Sequence, residues 1–240
     1  MRPKILDLFC GAGGASMGYH LAGFEVVGVA IALQPNYPFE FHQADAMAFP
    51  LSGFDAIHAS PPCQAYTRMA RGLLQSQGRA KEHPRLIEPI RARLRESGLP
   101  YIIENVEGAP LIRPIRLCGS SFGLDVQRHR LFELSFFMLM PECIHTRWKK
   151  DKPPLGRLGG RKSRVVGCYG NGRGKGDTVS LWRAAMGISW MTRKELSQAI
   201  PPAYTQYIGR WLMEYLVTAK RRHHGTGYWN GQAAHSAARQ

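Results

Sequence analysis

The stretch KILDLFCGAGGA, residues 4–15, decides the fold of this 240-residue chain. Its first six residues are largely apolar and predict a buried strand, and the glycines after Cys10 predict a tight turn into a helix that ends near Ala22. Glycine lets the backbone turn sharply and approach a ligand, and the amino end of a helix favours negative or polar groups. The pattern alone is a weak signal, because an ordinary tight turn has the same composition.

Strands and helices alternate beyond this stretch. A helix is predicted at His83–Ser97, and further strands are predicted at Glu25–Ile31, Phe41–Asp45, Phe54–Ala59, Tyr101–Glu104 and Arg130–Phe136. This alternation predicts an α/β fold, a Rossmann-like and mostly parallel sheet with helices on both faces. Ligands of such sheets gather at the carboxyl ends of the strands, and the segments expected there are Gly11–Gly14, Asp45, Ser60–Gln64 and Glu104-Asn105.

The charge of the chain points to a polyanionic partner. It has 32 Lys+Arg and 17 Asp+Glu, a formal net charge of +15, and a sequence pI of about 10.0. The cations concentrate at about 68–95 and 147–175, whereas residues 1–65 carry few. A solvated basic face is the alternative for either cluster taken alone.

Hydropathy and cysteine usage exclude other classes of protein. No run of about 18 apolar residues is present, the start of the chain does not resemble a signal peptide, and five irregularly spaced cysteines do not form a disulfide framework. We therefore expect no membrane partner and a reducing cytoplasm. Cys143, His145 and Cys168, with or without Cys118, could form a zinc site, but no CxxC pair accompanies them, so we expect structural cysteines and no metal.

Three segments carry side chains suited to covalent catalysis. Cys63 follows a predicted strand on a loop stiffened by two prolines, a setting typical of a nucleophile, which also needs positive potential to hold its thiolate. Glu104 lies at another strand end and could deliver a proton, although a surface glutamate is an equal alternative. Arg128 and Arg130 fall on one side of an extended strand and could hold an anion or the polar edge of a base, or could be a surface pair.

In this order the segments resemble the DNA (cytosine-5) methyltransferase family. Residues 7–14 are similar to its S-adenosylmethionine loop, Pro61–Gln64 to its catalytic loop, Glu104–Val106 to its glutamate motif and Arg128–Arg130 to its arginine motif. Residues 182–188 and 198–204 are similar to its last motifs. The match spans about residues 4–216 and looks most like compact phage-encoded members.

The resemblance implies a reaction and a set of site residues. Cys63 would add to carbon 6 of a flipped-out cytosine, Glu104 would act at ring nitrogen 3, Arg130 would hold the base oxygen, and Arg128 would hold a phosphate or the loop. S-adenosylmethionine would be the cofactor, and its expected contacts are Phe9, Cys10, Gly11, Ala12, Gly13, Gly14, Ala30, Ile31, Asp45, Ala46 and Pro61. The expected partner is double-stranded DNA, bound by a monomer in the cytoplasm of a bacterial or phage-infected cell.

The resemblance also predicts the domain organisation. Residues 1–137 would form the catalytic and cofactor-binding domain, and 138–178 a small basic target-recognition lobe. Residues 179–218 would return to the catalytic domain, and 219–240 would form a flexible tail.

Two motifs depart from the family pattern, at three positions. Ala30 replaces the acid that contacts the cofactor ribose, with Ala32 following it, and this loss is expected to weaken cofactor binding by roughly 2–3 kcal/mol. Val126 replaces a glutamine of the arginine motif. A DNA-binding protein that has lost catalysis, and a methyltransferase of RNA or free nucleotides, therefore remain open as alternatives.

Overall fold

A computed structural model describes residues 2–66, 83–144, 156–158, 161–163, 165–168 and 178–225. Residues 68–82 of the first basic cluster and most of the predicted lobe lie outside this part of the chain. Within it, no helix has the length and apolar character needed to span a membrane.

One seven-stranded sheet organises the protein. Its strands are β1 (Lys4–Leu8), β2 (Glu25–Ala30), β3 (Glu40–Gln43), β4 (Ala56–Ala59), β5 (Tyr101–Asn105), β6 (Ile115–Leu117) and β7 (Arg130–Leu134). Their spatial order is β3-β2-β1-β4-β5-β7-β6. Strands β1 to β5 pair in parallel, whereas β7 runs antiparallel to both β5 and β6. A separate antiparallel pair joins β8 (Gly156–Leu158) to β9 (Arg161–Ser163).

Five α-helices accompany the sheet in the described residues. They are α1 (Gly14–Leu21), α2 (Ile87–Glu96), α3 (Val179–Met186), α4 (Arg193–Gln198) and α5 (Pro202–Gly225), and a 3₁₀ helix spans Gly119–Phe122. Trp182, Ala185 and Met186 of α3 and Leu196 of α4 pack with Ala12 of the glycine loop in one apolar cluster. The segment after the predicted lobe therefore lies against the loop that follows β1.

The two faces of the sheet bury alternate residues of each strand. Ile5, Val26 and Ile102 pack with residues of α1 and α5, and their neighbours Leu6, Val27 and Ile103 pack with α2 on the other face. The prediction of a mostly parallel sheet with helices on both faces is confirmed.

Helix α5 packs closely against α1 and extends past the predicted boundary of the tail. A Cβ atom at Gly18 would collide with Thr205 Oγ1, so only glycine permits this approach. Thr205 Oγ1 also donates to the Ala15 carbonyl at 2.8 Å. The tail was expected to start at residue 219, but the helix continues through Gly225, and Lys220 Nζ lies 3.2 Å from Asp55 Oδ1.

Candidate active site

The carboxyl ends of the central strands bring the predicted site residues to one edge of the sheet. The glycine loop follows β1, the Cys63 loop follows β4, and Glu104 lies near the end of β5. The strand order changes direction between β1 and β4, which is where open α/β sheets form ligand crevices. Because β7 is antiparallel to β5, with Asn105 opposite Leu131, the first residue of β7 reaches the same edge. That residue is Arg130.

Glu104 and Arg130 form a buried ion pair. The Glu104 Oε1 to Arg130 Nε distance is 3.1 Å, and Glu104 is only 6% exposed. Burial raises the pKa of the Glu104 carboxyl, while Arg130 and a hydrogen bond from Ser60 partly oppose the rise. The Glu104 carboxyl group therefore keeps its proton to a higher pH than a solvated glutamate does, which suits a proton donor.

The Cys63 thiol is half-buried beside this pair. Asn105 Nδ2 donates to the Pro61 carbonyl at 2.9 Å, and Tyr66 N donates to the Cys63 carbonyl at 2.9 Å, so the loop is fixed on both sides of the thiol. Burial raises the pKa of Cys63; Arg130 lowers it and Glu104 raises it. The positive potential expected from the sequence is present, but desolvation outweighs it.

The Arg128 side chain binds backbone groups inside the protein. Its side chain is fully buried and donates to the carbonyls of Cys168 and Ser197, each at 2.7 Å. The resemblance implied that Arg128 would hold a phosphate or the loop. The two carbonyls that it binds belong instead to the segments on either side of residues 169–177. Arg128 still lowers the pKa of both Cys63 and Glu104.

A hydrogen-bonded chain that the sequence analysis missed leads from the core to Glu104. Tyr19 Oη lies 2.8 Å from His58 Nδ1, His58 Nε2 lies 2.8 Å from Ser60 Oγ, and Ser60 bonds to Glu104. Burial lowers the pKa of His58 to about 3, so its ring is neutral. If Ser60 donates to the carboxylate, His58 must donate from Nε2 and accept from Tyr19 at Nδ1. The only signal in the sequence was a histidine inside an apolar strand.

The glycine loop leaves room for a ligand at the amino end of α1. Phe9, Gly11 and Gly13 have φ values of 61°, 51° and 83°, and a Cβ at Gly11 would meet no atom within 4 Å. The N-cap residue Gly13 offers no capping side chain and no acid lies in the first turn, although the backbone of Ser16 in that turn bonds to Asp7. Trp190 Nε1 donates to the Ala12 carbonyl at 2.9 Å and holds the loop from outside. The amino end of a helix suits a carboxylate.

The end of β2 offers apolar but not acidic contacts. Ala30 is nearly buried, whereas Ile31 is 77% exposed beside it. Asp45 follows β3, where its Oδ1 accepts from Met47 N at 2.8 Å, and Ala46 is buried. This part of the site fits a flat apolar group better than a pair of hydroxyls.

A carboxyl group lies buried behind the glycine loop. Asp7 accepts a short hydrogen bond from Ser16, and its Oδ1 atom has no hydrogen-bond partner. Burial raises the pKa of Asp7 to about 7. The Ser16 hydroxyl also lies 2.8 Å from Tyr37 Oη, whose ring covers Gly28 of β2.

Two arginines of the first basic cluster bind protein groups. Arg91 is 2% exposed and forms two 2.8 Å hydrogen bonds to the Glu133 carboxylate. Arg93 donates to the carbonyls of Ala46, at 3.0 Å, and Phe49. Arg91 is therefore not available to a polyanionic partner, and both arginines hold α2 in place.

Solved structures with the same fold are methyltransferases. A prophage-encoded E. coli protein, described as a candidate DNA modification methyltransferase, aligns with a TM-score of 0.59 at 15% identity, covering 90% of this chain and 99% of that chain. The Entamoeba histolytica methyltransferase EhMeth gives 0.55 at 12% identity, covering 92% and 99%. Dnmt2 methyltransferase of S. pombe gives 0.52 at 15%, covering 90% and 99%.

These likenesses confirm the expected Rossmann-like fold, an α/β sheet shared with solved methyltransferases. No protein-family model matches the chain, and no curated protein is a significant match.

Proposed function

We propose that the protein is an S-adenosylmethionine-dependent DNA (cytosine-5) methyltransferase. The observation that carries the proposal is the buried Glu104–Arg130 pair beside Cys63, at the carboxyl edge of a methyltransferase sheet. A thiol, a carboxyl group of raised pKa and a fixed guanidinium are the groups needed to activate a cytosine ring.

Each group has one role in the proposed reaction. The Cys63 sulfur adds as a thiolate to carbon 6, its proton having left to solvent, and Glu104 protonates or hydrogen-bonds ring nitrogen 3. Arg130 donates to the base oxygen while it stays paired with Glu104. The sulfur is expelled when the carbon-5 proton has been lost. Ser60 and His58 orient the Glu104 carboxyl group towards the base, because Ser60 binds it from the interior side and His58 binds Ser60.

The described residues fit the cofactor in part. The amino end of α1 would take its carboxylate, the loop of Phe9 and Gly11 would lie along it, and Ile31 would cover its adenine. S-adenosylmethionine supplies the electrophilic methyl group when bound. No acid stands at position 30 for the ribose hydroxyls, so we expect weak binding.

Double-stranded DNA is the proposed substrate because the excess of positive charge is large for an enzyme of free nucleotides. A base inside a duplex is unreachable, so the target must be flipped out at a cost of a few kcal/mol. Contacts of exposed cations with phosphates would offset that cost.

A mechanism-based trap tests the proposal. Duplex DNA carrying 5-fluorocytosine at all cytosine positions is incubated with the protein and saturating S-adenosylmethionine. Fluorine replaces the proton that must leave carbon 5, so a covalent protein–DNA adduct should accumulate and survive denaturing electrophoresis.

The matched control is a second cysteine. C63S should abolish the adduct, and C168S, at a buried cysteine that packs with α3 and α4, should keep it. An adduct with 5-fluorocytidine RNA but not with DNA would move the activity to RNA. No cofactor binding at millimolar concentration in calorimetry would leave a DNA-binding protein without catalysis.

A further inference from the structure

Three metal-binding side chains meet where the sheet ends at β6 and β7. Cys118 directly follows β6 and His129 directly precedes β7. Because the two strands are antiparallel with Leu117 opposite Arg130, Cys118 and His129 are neighbours across the ladder. Cys143 comes back to the same point from the segment after β7, at the start of the predicted lobe.

The three ligand atoms lie close enough together to share one metal ion. The two sulfurs and the imidazole nitrogen all lie within 4.8 Å of one another, and Cys143 Sγ is 3.6 Å from His129 Nε2. With zinc bonds of about 2.3 Å to sulfur and 2.0–2.1 Å to nitrogen, tetrahedral geometry requires an S–N separation of about 3.6 Å. No other group of this kind occurs in the part of the chain that the structure describes.

The surrounding groups orient these ligands. Glu107 Oε1 lies 3.3 Å from His129 Nδ1, the nitrogen that faces away from Cys143, and 3.7 Å from Arg116. A carboxylate on the far nitrogen of a histidine is the usual support of a metal ligand, since it fixes the ring and its tautomer. Ser120 Oγ donates to Cys118 Sγ at 3.3 Å and lies 4.0 Å from Cys143 Sγ.

We propose that Cys118, His129 and Cys143 bind a zinc ion. On binding, the two thiols release two protons and coordinate as thiolates, the neutral imidazole coordinates through Nε2, and the fourth position is open to water. Cys118 is buried, whereas His129 and Cys143 are partly exposed and give the ion a path of entry.

This site differs from the zinc set considered from the sequence. His129 was absent from that set, the Cys168 sulfur is not part of the cluster, and His145 lies outside the described residues. The ion would fix His129, which stands between Arg128 and Arg130, and would anchor the segment that enters the predicted lobe. It is a structural site, and it does not depend on the proposed reaction.

Cobalt substitution tests the site without any assay of methyl transfer. The full chain, reduced and stripped of metal, is titrated with Co²⁺. One equivalent should produce thiolate-to-cobalt charge-transfer absorption with the intensity of two thiolates and the visible bands of a tetrahedral ion, and Zn²⁺ should displace it. Mass spectrometry of the purified protein should find one zinc per chain.

Variants separate this cluster from the other thiols and imidazoles. C118S, C143S and H129Q should lose the spectrum, and E107Q should weaken binding by about 10–100-fold. C168S and H42Q, a buried cysteine and an exposed histidine outside the cluster, should bind like the unaltered chain. Absence of the charge-transfer band in the unaltered chain would overturn the proposal, and so would a C118S or C143S variant that keeps it.

Discussion

The charge of Glu104 influences the protonation of Cys63 in the proposed base site. The Glu104 carboxylate raises the pKa of Cys63 and thereby opposes formation of the nucleophile. Once Glu104 carries a proton at the moment of attack, that opposition disappears. Glu104 thus couples acid catalysis to activation of the thiol.

We predict that E104Q makes Cys63 more reactive towards a simple electrophile and less reactive towards cytosine. Removing the negative charge lowers the pKa of Cys63, so the pH midpoint of iodoacetamide alkylation should move down. Adduct formation with 5-fluorocytosine DNA should fall by about 10²-fold or more, because no group delivers the proton. Alkylation of C63S measures the background signal of the other four cysteines. An unchanged alkylation midpoint in E104Q would contradict the coupling between Glu104 and Cys63.

Asp7 is expected to make the stability of the protein depend on pH. Its pKa is about 7 in the folded chain and 3.8 in the unfolded chain, so the folded state holds a proton more tightly between these values. The free energy of unfolding should therefore fall as pH rises from about 4 to 7 and level off above. The difference of about 3 units corresponds to a loss on the order of 4 kcal/mol.

D7N should remove this part of the pH dependence. Urea unfolding at pH 5 and pH 8 should show D7N gaining stability relative to the unaltered chain as pH rises. Glu104 adds a slope of the same sign, because its pKa is also raised, so only the difference between the two proteins is informative. D45N, at an exposed turn, is the control, and a D7N difference that does not vary with pH would contradict the prediction.

At the scale of elements, β1, β2, β4 and β5 were predictable because each is a short, largely apolar run, whereas β3 is mostly polar and was indicated only by its place before Asp45. Strand β6 was missed, since Ile115-Arg116-Leu117 is too short to show a period. The edge of the sheet that carries the candidate site was also predictable, because the carboxyl ends of parallel strands meet at one edge. The contact between Glu104 and Arg130 needed one more fact, the antiparallel direction of β7, and nothing in the residues of β7 shows that direction.

Helix α2 shows why charge on a helix is hard to interpret from sequence. Arg91 has a local partner in Glu88, which is exposed, but its main partner is Glu133 of β7, 42 residues away. Arg91 also donates to the Pro110 carbonyl at 2.7 Å. A charged residue on a helix whose partner lies on a distant strand looks, in the sequence, like a solvated cation.

We predict that R91A destabilises the protein by about 3–5 kcal/mol, because it leaves the Glu133 carboxylate buried without a counter-charge. E88Q is the matched control: it removes the exposed partner of the same arginine and should change the free energy of unfolding by less than about 1 kcal/mol. Both are measured by urea unfolding. Equal effects of the two variants would show that the buried pair does not hold α2 to β7.

For the whole molecule, the net charge of +15 must be divided between cations that fold the chain and cations that face a partner. Arg91, Arg93 and Arg128 belong to the first group, since each donates to buried protein acceptors. The cations of residues 147–152 have few acids near them in the sequence and remain candidates for the second. Salt dependence separates the two groups, because only binding to phosphates releases counterions.

The affinity for duplex DNA should fall steeply with salt, and substitutions should change the slope selectively. R147Q/K149Q/K150Q should reduce the slope of log K against log salt by about 0.9 for each phosphate that the variant no longer neutralises. R93Q removes one positive charge from α2 but should leave that slope unchanged, because Arg93 holds the Ala46 and Phe49 carbonyls and not DNA. Fluorescence anisotropy at several salt concentrations measures both. An equal decrease of the slope in R93Q would mean that the total charge, and not its placement, governs binding.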